Sequence, residues 1–219
     1  MKVIVFDTET TGLIPKGATL NGDLNIFPYI LQFSYILYET DTCEILTVSD
    51  DIIKIPENVG ISKESINVHG ITKVDCLLKG QDILRIIQKF MVCFENADLL
   101  VGHNLEFDLN ILKIEMLRYV ELFEEELNTL NNSKKFFCTM QETIDLCNIE
   151  KKSATGKTYL KFPKLSELHE KLFNSSPNHL HNALNDIMVC MRCFHKFKFN
   201  EDINLLNNKF KLLYRTIIE

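Results

Sequence analysis

The feature that most constrains this chain is an apolar run near its start that ends in two acidic residues. Val3 to Phe6 carries no polar side chain, and Asp7 and Glu9 follow it directly. A short, continuous apolar run predicts a central strand that is buried on both faces. Two acids that are two residues apart at a strand end project to the same side of the sheet. Taken alone, the pair is also compatible with a solvent-exposed acidic turn.

The segments that follow predict an α/β fold with a mixed sheet. Runs of β-branched, aromatic and other apolar residues predict further strands at 30–38, 44–55, 99–103 and 136–140. The first two of these are separated by a polar turn and are expected to pair as a hairpin beside the first strand. Apolar residues at helical spacing predict helices at 82–94, 106–120 and 182–195. Pro163 is expected in the first turn of another helix, which runs to about Phe173.

Two polar stretches are expected to lie outside the packed elements. Residues 121–135 are charged and Asn-rich and predict a loop or a frayed helix end, and residues 151–161 predict a mobile basic loop. Asn200 is expected to cap a further amphipathic segment. We therefore divide the chain into a main domain, residues 1–198, and a C-terminal amphipathic helical extension, residues 199–219. The extension is expected to pack on the same domain, and a docking helix for a partner chain is the alternative.

Charge is unevenly distributed along the 219 residues. The net charge of −6, taken alone, argues weakly against a partner that is a nucleic acid. However, residues 1–130 carry 10 basic and 21 acidic residues, whereas residues 131–219 carry 14 basic and 9 acidic residues. The C-terminal part could therefore supply a basic face while the N-terminal part supplies metal ligands. An ordinary solvated surface explains the same distribution.

Cysteine usage and hydropathy indicate the compartment. The seven cysteines are scattered and odd in number, which is typical of reduced thiols rather than of a disulfide framework. Cys190 and Cys193 lie near His195, but a zinc site is disfavoured because no second ligand pair is present. No apolar window is long enough for a membrane span, and no signal peptide is recognisable. We therefore expect an intracellular, by default cytoplasmic, protein with no membrane partner.

Two further acids follow predicted elements in a way that could bring them to Asp7 and Glu9. Asp108 comes shortly after the predicted strand at 99–103, in a helix that Asn104 is expected to cap, and sites form beyond the carboxyl ends of strands. Favourable charge at a helix N-terminus explains Asp108 equally well. His103 is expected to be a buried polar group that satisfies the local backbone.

Asp186 lies on the flank of an apolar helical stripe that includes Ala183, Ile187 and Cys190. An acid in such a position is costly to bury without a partner or a metal. His181 precedes it by five residues, which corresponds to a turn of roughly 140° on an ideal helix. The two residues can therefore share a site only if His181 lies at or before the first turn.

These residues together resemble the three motifs of the DEDDh 3′–5′ exonucleases, which include the proofreading subunit of bacterial DNA polymerase III and the three-prime repair exonucleases. The matching segments are Phe6-Asp7-Thr8-Glu9-Thr10-Thr11-Gly12-Leu13, Gly102-His103-Asn104-x-x-Phe107-Asp108 and His181-Asn182-Ala183-Leu184-x-Asp186. Weaker matches lie at Val68-His69-Gly70-Ile71-Thr72, Cys138-Thr139-Met140 and Pro163-Lys164-Leu165-x-Glu167-Leu168. The resemblance spans about residues 3–197. It implies a ribonuclease H-like mixed sheet of about five strands with helices on both faces.

The resemblance also implies residue roles. Asp7, Glu9, Asp108 and Asp186 would hold two ions of Mg²⁺ or Mn²⁺, which hard oxygen ligands suit. His181 would act as the general base toward the attacking water. The terminal 3′-hydroxyl would be contacted by the carboxylate of Glu9 and the backbone N–H of Thr10. Leu13 would wedge against the terminal bases, and Phe107 would pack behind the site or stack on a base.

The implied substrate is the 3′ end of a single-stranded or frayed nucleic acid, with DNA favoured, as in DNA repair or proofreading, and nucleoside 5′-monophosphates as products. RNA trimming by the same site is one alternative. Another is a catalytically idle fold that docks on a polymerase or another protein partner. This second alternative is disfavoured because the chain retains all four carboxylates and the histidine. The sequence does not predict an oligomeric state.

Overall fold

The computed structural model describes residues 1–20 and 22–218 of the chain. The strands are β1 (Lys2–Thr10), β2 (Ile30–Glu39), β3 (Ile45–Ile52), β4 (Leu99–Gly102), β5 (Phe136–Cys138), β6 (Glu150–Lys152) and β7 (Thr158–Leu160). The helices are α1 (Lys63–His69), α2 (Lys73–Lys79), α3 (Ile83–Glu95), α4 (Leu105–Arg118), α5 (Val120–Asn132), α6 (Thr139–Glu142), α7 (Ile144–Cys147), α8 (Leu165–Phe173), α9 (Ala183–Phe199), α10 (Ile203–Leu206) and α11 (Asn208–Ile218). A short 3₁₀ turn covers Leu24–Ile26.

The main sheet has five strands in the order β3-β2-β1-β4-β5, with β1 at its centre. β1 pairs with β2 antiparallel and with β4 parallel, β2 pairs with β3 antiparallel, and β4 pairs with β5 parallel. The predicted mixed sheet of about five strands is therefore confirmed. Because β4 and β5 run parallel to β1, the carboxyl ends of all three strands lie at the same edge of the sheet. Asp7 and Glu9 lie at this edge, at the end of β1.

Alternate side chains of β1 serve two separate cores. Ile4 and Phe6 pack into a cluster with α3, α4 and α5, whereas Val3 and Val5 pack into a second cluster with α8 and α9. This division follows from the two-residue periodicity of a strand whose two faces are both covered. Helices on both faces of the sheet were predicted and are confirmed. Helices cover both faces of β1, and a strand pairs with it on each side. β1 is therefore a rigid support for the residues at its end.

Two segments that were predicted to be irregular form regular elements. Residues 121–135 were expected to be a loop or a frayed end, but α5 occupies most of this stretch, with a kink at Phe123. The helix forms because Phe123, Leu127 and Leu130 are buried at helical spacing. The predicted mobile loop at 151–161 contains the antiparallel hairpin of β6 and β7, whose turn uses Gly156 at φ +82°.

Three predicted helix ends are also corrected. Asn200 adopts the left-handed conformation and ends α9, so it is a C-cap and not the N-cap of the next helix; Asp202 caps α10 instead. Pro163 lies just before the N-cap Lys164 of α8 rather than in its first turn. Asn104 precedes α4, but it is left-handed and its side chain makes no capping hydrogen bond.

The C-terminal segment packs on the second core. Ile203, Phe210 and Tyr214 are buried in the cluster formed with α9. Arg192 of α9 donates two hydrogen bonds to the carboxylate of Asp202 and so fixes the start of α10. The boundary at residue 198 stays a prediction, and Glu219, the last residue of the predicted extension, lies outside the described residues.

All seven cysteines are free thiols, and five of them are buried. Cys190 and Cys193 lie in the second core rather than at a metal site. Within residues 1–20 and 22–218, none of the helices combines the length and the apolar character that a membrane span requires.

Candidate active site

Three carboxylates from two distant parts of the chain converge at the end of β1. Asp7, Glu9 and Asp186 each contribute one carboxylate oxygen, and the three oxygens lie within 4.8 Å of one another. Asp7 and Glu9 face the same side because they alternate with Thr8 along the strand. The pairing of β1 with β2 shifts register between Glu9 and Thr10, which is the irregularity expected where a strand end is redirected at a site.

Asp186 reaches this cluster from the first turn of α9. Asn182 caps the helix by accepting a hydrogen bond from the backbone N–H of Asn185, and both oxygens of Asp186 lie 3.3 Å from the backbone nitrogen of His181. The side-chain oxygen of Gln32 in β2 accepts a hydrogen bond from the backbone N–H of Ala183 at 3.1 Å. The start of α9 is thereby tied to the sheet, and the helix N-terminus favours the negative charge that it presents.

Asp108 lies beside the three-residue cluster. It is 3% exposed, and its Oδ1 accepts hydrogen bonds from the backbone N–H of Thr8 at 3.0 Å and from the Thr8 hydroxyl at 2.6 Å. Its charge contributes to raising the pKa of Asp7, so the two groups are electrostatic neighbours. The structure thus brings all four predicted carboxylates to one place, with three of them mutually close and Asp108 held against the backbone of β1.

Burial raises the pKa of every one of these carboxyl groups. Desolvation is the largest cause in each case, and repulsion between the carboxylates adds to it for Asp7 and Glu9. The pKa of Glu9 rises to about 8, and those of Asp108 and Asp186 rise to about 7, although hydrogen bonds from Thr8 and His181 oppose the rise. In the part of the chain that the structure describes, none of the ion pairs involves these four groups. The cluster therefore lacks a protein cation to neutralise it.

This electrostatic strain predicts how metal-free stability depends on pH. A carboxyl group whose pKa is higher in the folded state than in the unfolded state destabilises the fold as pH rises between the two values. That window runs from 3.8 to about 7 for Asp108 and Asp186, and from 4.5 to about 8 for Glu9. In EDTA we expect the Tm to fall by on the order of 5 °C between mildly acidic and mildly alkaline pH.

The matched variants are Asp186→Asn, which should flatten this profile, and Asp145→Asn at an exposed position, which should not. Differential scanning fluorimetry in EDTA across the window measures all three proteins. A Tm of the original chain that does not fall with rising pH would contradict the prediction, and so would an Asp186→Asn profile as steep as the original.

His181 lies immediately before the N-cap of α9, in the left-handed conformation at φ +71°. It lines a cavity of about 550 Å³ together with Asp7 and Asp186. His181 lies five residues before Asp186. The two side chains can face the same cavity because His181 precedes the first turn of α9 and does not follow the helical rotation.

A second cavity, of about 250 Å³, lies on the side of Glu9. Glu9, Thr10, Leu13 and Phe107 all line it, together with residues of α1. Leu13 is 83% exposed at its rim, and Phe107 is half-buried and packs against the first core. The four residues predicted to contact the substrate terminus are therefore gathered around one depression.

A family model described as an exonuclease (RNase_T) matches residues 4–194, which include all four carboxylates and His181. The chain belongs to this exonuclease family. It is accordingly a nuclease, and the predicted resemblance to DEDDh exonucleases is confirmed. No curated protein matches the chain in a comparison of sequences.

Solved structures of exonucleases share the fold. The nuclease domain of 3′hExo, a DEDDh family member bound to rAMP, is 15% identical, with a TM-score of 0.60 over 92% of this chain and 94% of that one. A 3′-exonuclease that recognises the histone mRNA stem-loop is 14% identical, with a TM-score of 0.60 over 92% and 83%. Exonuclease I from E. coli, in complex with a dT13 oligonucleotide, is 14% identical, with a TM-score of 0.62 over 91% of this chain but only 42% of that one.

The donor set of this exonuclease fits a divalent cation. Carboxylate oxygens are the hard ligands that Mg²⁺ and Mn²⁺ prefer, and a shared cation would offset both the cost of burying these charges and their mutual repulsion. Of the residues that the structure describes, Asp7, Glu9 and Asp186 form the one group of three or more potential ligands that is close enough to share an ion. The cysteine pair in α9 forms no such group.

His69 connects two elements of the site, a role that the sequence did not predict. Its Nδ1 accepts a hydrogen bond from the backbone N–H of Ile71 at 3.0 Å, so its Nε2 donates to the backbone oxygen of Thr10 at 3.2 Å. The histidine thereby ties the end of α1 to the end of β1 at the second cavity. The weak Val68-His69-Gly70 match pointed to this position but did not reveal its purpose.

His103 behaves as predicted for a buried polar group. Its Nε2 donates to the backbone oxygen of Pro163 at 3.1 Å, and its Nδ1 lies 3.0 Å from the hydroxyl of Thr139. Burial lowers its pKa to about 4, which keeps the ring neutral. It therefore fixes the segment before α8 against the end of β4.

Proposed function

We propose that this exonuclease removes nucleotides from the 3′ end of a nucleic acid and releases nucleoside 5′-monophosphates, with two divalent cations held by Asp7, Glu9, Asp108 and Asp186. The observation that carries the proposal is the convergence of these four buried or half-buried carboxylates, with which no cationic side chain of the described residues forms an ion pair. Four carboxylates would repel a phosphodiester, so cations are required before an anionic substrate can approach. Bound Mg²⁺ or Mn²⁺ would supply that charge and activate water for attack on the phosphate.

His181 is proposed as the general base. Its place before α9 puts it on the wall of the cavity that Asp7 and Asp186 also line. Its imidazole would accept the proton that the attacking water loses, while the bond from phosphorus to the 3′-oxygen of the preceding nucleotide breaks. His181 would thus move a proton without binding a cation.

The terminal nucleoside is proposed to occupy the second cavity. Glu9 and the backbone N–H of Thr10 would contact its 3′-hydroxyl, and this contact would distinguish a strand end from an internal nucleotide. Leu13, exposed at the rim, would separate the last two bases, and Phe107 would close the cavity from behind or stack on a base. These contacts depend on the terminal hydroxyl and on apolar faces, so we expect little dependence on base sequence.

We favour single-stranded or frayed DNA as the substrate and keep RNA as the alternative. The comparison structures include ligands of both kinds. Exonuclease I is in complex with a dT13 oligonucleotide, which is DNA, whereas the 3′hExo domain is bound to rAMP, a ribonucleotide. An idle binding module fits less well because no member of the carboxylate set has been lost.

The decisive test is digestion of matched DNA and RNA strands labelled at either end. With Mg²⁺ or Mn²⁺ we expect 5′-labelled strands to shorten stepwise and 3′-labelled strands to release labelled mononucleotide at once. EDTA should abolish both reactions, and added Mg²⁺ should restore them because the site depends on cations for charge neutralisation. Activity that persists in EDTA, or release of label from the 5′ end first, would overturn the proposal.

A further inference from the structure

The hairpin of β6 and β7 is an exposed element that the catalytic chemistry does not use. Its strands are three residues long, and all but one of the six strand residues are exposed to solvent. A hydrogen bond from the backbone N–H of Lys161 to the oxygen of Ile149 closes its base. An isolated two-stranded hairpin is marginally stable, so burial of a core does not account for this sequence. We refer to residues 150–164, the hairpin and its exit segment, as the basic hairpin.

The basic hairpin carries a local positive charge on an acidic protein. It contains one acidic residue, Glu150, and five lysines, whereas the whole chain has a net charge of −6. Lys161 pairs with Glu167 of α8. Lys151, Lys152 and Lys157 are exposed and take part in none of the ion pairs of the described residues. These three lysines are therefore available to a polyanion.

Two exposed aromatic rings accompany the lysines. Tyr159 is 48% exposed and lies opposite Lys151 in the hairpin register, so both side chains project from the same face. Phe162 is 53% exposed and follows in the exit segment. Cationic side chains interleaved with exposed rings are typical of surfaces that track a single strand, because phosphates meet the charges and bases stack on the rings.

The basic hairpin is continuous with the catalytic cavity. Phe162, Pro163 and Lys164 line the same 550 Å³ cavity as Asp7, His181 and Asp186. The exit segment is fixed there because Pro163 accepts the hydrogen bond from His103. A strand whose end lies at the carboxylates could therefore leave the cavity along the wall from which the hairpin extends.

We propose that the basic hairpin binds the single-stranded part of the substrate, a few nucleotides away from the bond that is cleaved. Lys151, Lys152 and Lys157 contact phosphates from the two faces and the turn of the hairpin, and Tyr159 and Phe162 stack on bases. The inference rests on the proposed function, since it assigns the hairpin to the same substrate. It explains how a protein of net negative charge retains a polyanion at a carboxylate cluster, and it predicts stronger binding of longer strands.

The test compares two triple variants with the same change of charge. Lys151→Ser/Lys152→Ser/Lys157→Ser alters the hairpin, and Lys89→Ser/Lys209→Ser/Lys211→Ser alters exposed positions on helices that do not line the cavity. Fluorescence anisotropy with a labelled single strand of about 15 nucleotides, in an Asp7→Asn background with Mg²⁺, measures binding without consumption of the strand. The hairpin variant should reduce the slope of log affinity against log salt by about 2, which corresponds to three lost phosphate contacts.

A second pair of changes tests stacking and length. Tyr159→Ala and Phe162→Ala should each weaken binding about tenfold. With Asp7 intact, the Lys151→Ser/Lys152→Ser/Lys157→Ser variant should also lower the ratio of kcat/KM on the long strand to kcat/KM on a dinucleotide about tenfold, because a dinucleotide is too short to reach the hairpin. Equal binding, salt slopes and rate ratios in the hairpin and control variants would overturn the inference.

The two proposals fail in different ways. If the original chain hydrolyses strands but the hairpin variant binds like the control, the hairpin inference is wrong and the proposed function stands. If the original chain hydrolyses no strand but loses binding when the hairpin lysines are replaced, the proposed function is wrong, and the hairpin remains a surface that binds single strands.

Discussion

Asp7→Asn should reduce hydrolysis of a 3′ end by about a thousandfold or more, equivalent to a loss of about 4 kcal/mol of transition-state stabilisation. Asp7 occupies the centre of the site, since Asp108, Asp186 and Glu9 all contribute to raising its pKa. The amide keeps the shape of the side chain but removes the charge that would hold a cation. The variant should remain folded, and its Tm in EDTA should equal or exceed that of the original chain because one repulsive charge is gone.

Isothermal titration with Mg²⁺ or Mn²⁺, together with initial rates on a labelled strand, checks this expectation. Asp145→Asn is the matched control, since it removes the same charge at an exposed position outside the cavities that Asp7 and Glu9 line. Hydrolysis by Asp7→Asn within tenfold of the original rate would contradict the assignment of the carboxylates, provided that the control behaves normally.

His181→Ala separates the proton-transfer role from the ligand role in the same measurements. A lost general base should lower kcat by about a hundredfold or more while cation affinity is retained. A collapse of cation affinity would instead make His181 a ligand, and the proposed role as base would be wrong.

Deletion of residues 200–219 should destabilise the domain by about 5 kcal/mol, which is comparable with the whole stability of many single domains. The deletion exposes the part of the second core that Ile203, Phe210 and Tyr214 cover. It also removes Asp202 and so leaves Arg192, a half-buried cation, without its carboxylate. We expect a Tm lower by more than about 10 °C or recovery only as insoluble protein.

Two point variants keep this prediction testable if the truncated protein does not fold. Phe210→Ala, at a side chain with no exposed surface, should cost about 3–5 kcal/mol, whereas Leu205→Ala, at a side chain that is 78% exposed, should cost little. Urea denaturation of both variants provides the comparison. If Phe210→Ala is as stable as Leu205→Ala, the segment does not stabilise the domain and a docking helix for a partner becomes the better interpretation.

The sequence predicted the centre of the fold because the strongest pattern lies there. The apolar run from Val3 to Phe6 is buried on both faces of the sheet, as its unbroken apolar sequence predicts. The buried faces of α3 and α9 were likewise predicted, because their apolar residues recur at helical spacing. Polar segments were harder to predict because they are stabilised by a few side chains. The charged surface of α5 concealed the buried residues Phe123, Leu127 and Leu130.

Parts of the site could be found only in three dimensions. The motif positions gave the four carboxylates and His181, but not the hydrogen bonds of Thr8 to Asp108, which depend on the approach of α4 to β1. The helices α1 and α2 were missed, although Ser62 and the capping box of Thr72 and Asp75 are recognisable signals of helix starts. Residues 151–161 were assigned to a mobile loop because paired strands of three residues leave almost no periodic pattern.

The helix α9 connects two parts of the molecule. Its first turn carries Asp186 of the candidate site, and the C-terminal segment packs on the core that it forms. Its 17 residues span about 25 Å, with Asp186 in the first turn and Asn200 just beyond the last. A substitution that loosens the C-terminal segment can therefore disturb Asp186 through one continuous helix rather than through a series of loops. In a screen that measures activity alone, substitutions in residues 203–214 would look like substitutions of catalytic residues. A parallel measurement of stability would show that they act by weakening the packing of α9, which positions Asp186.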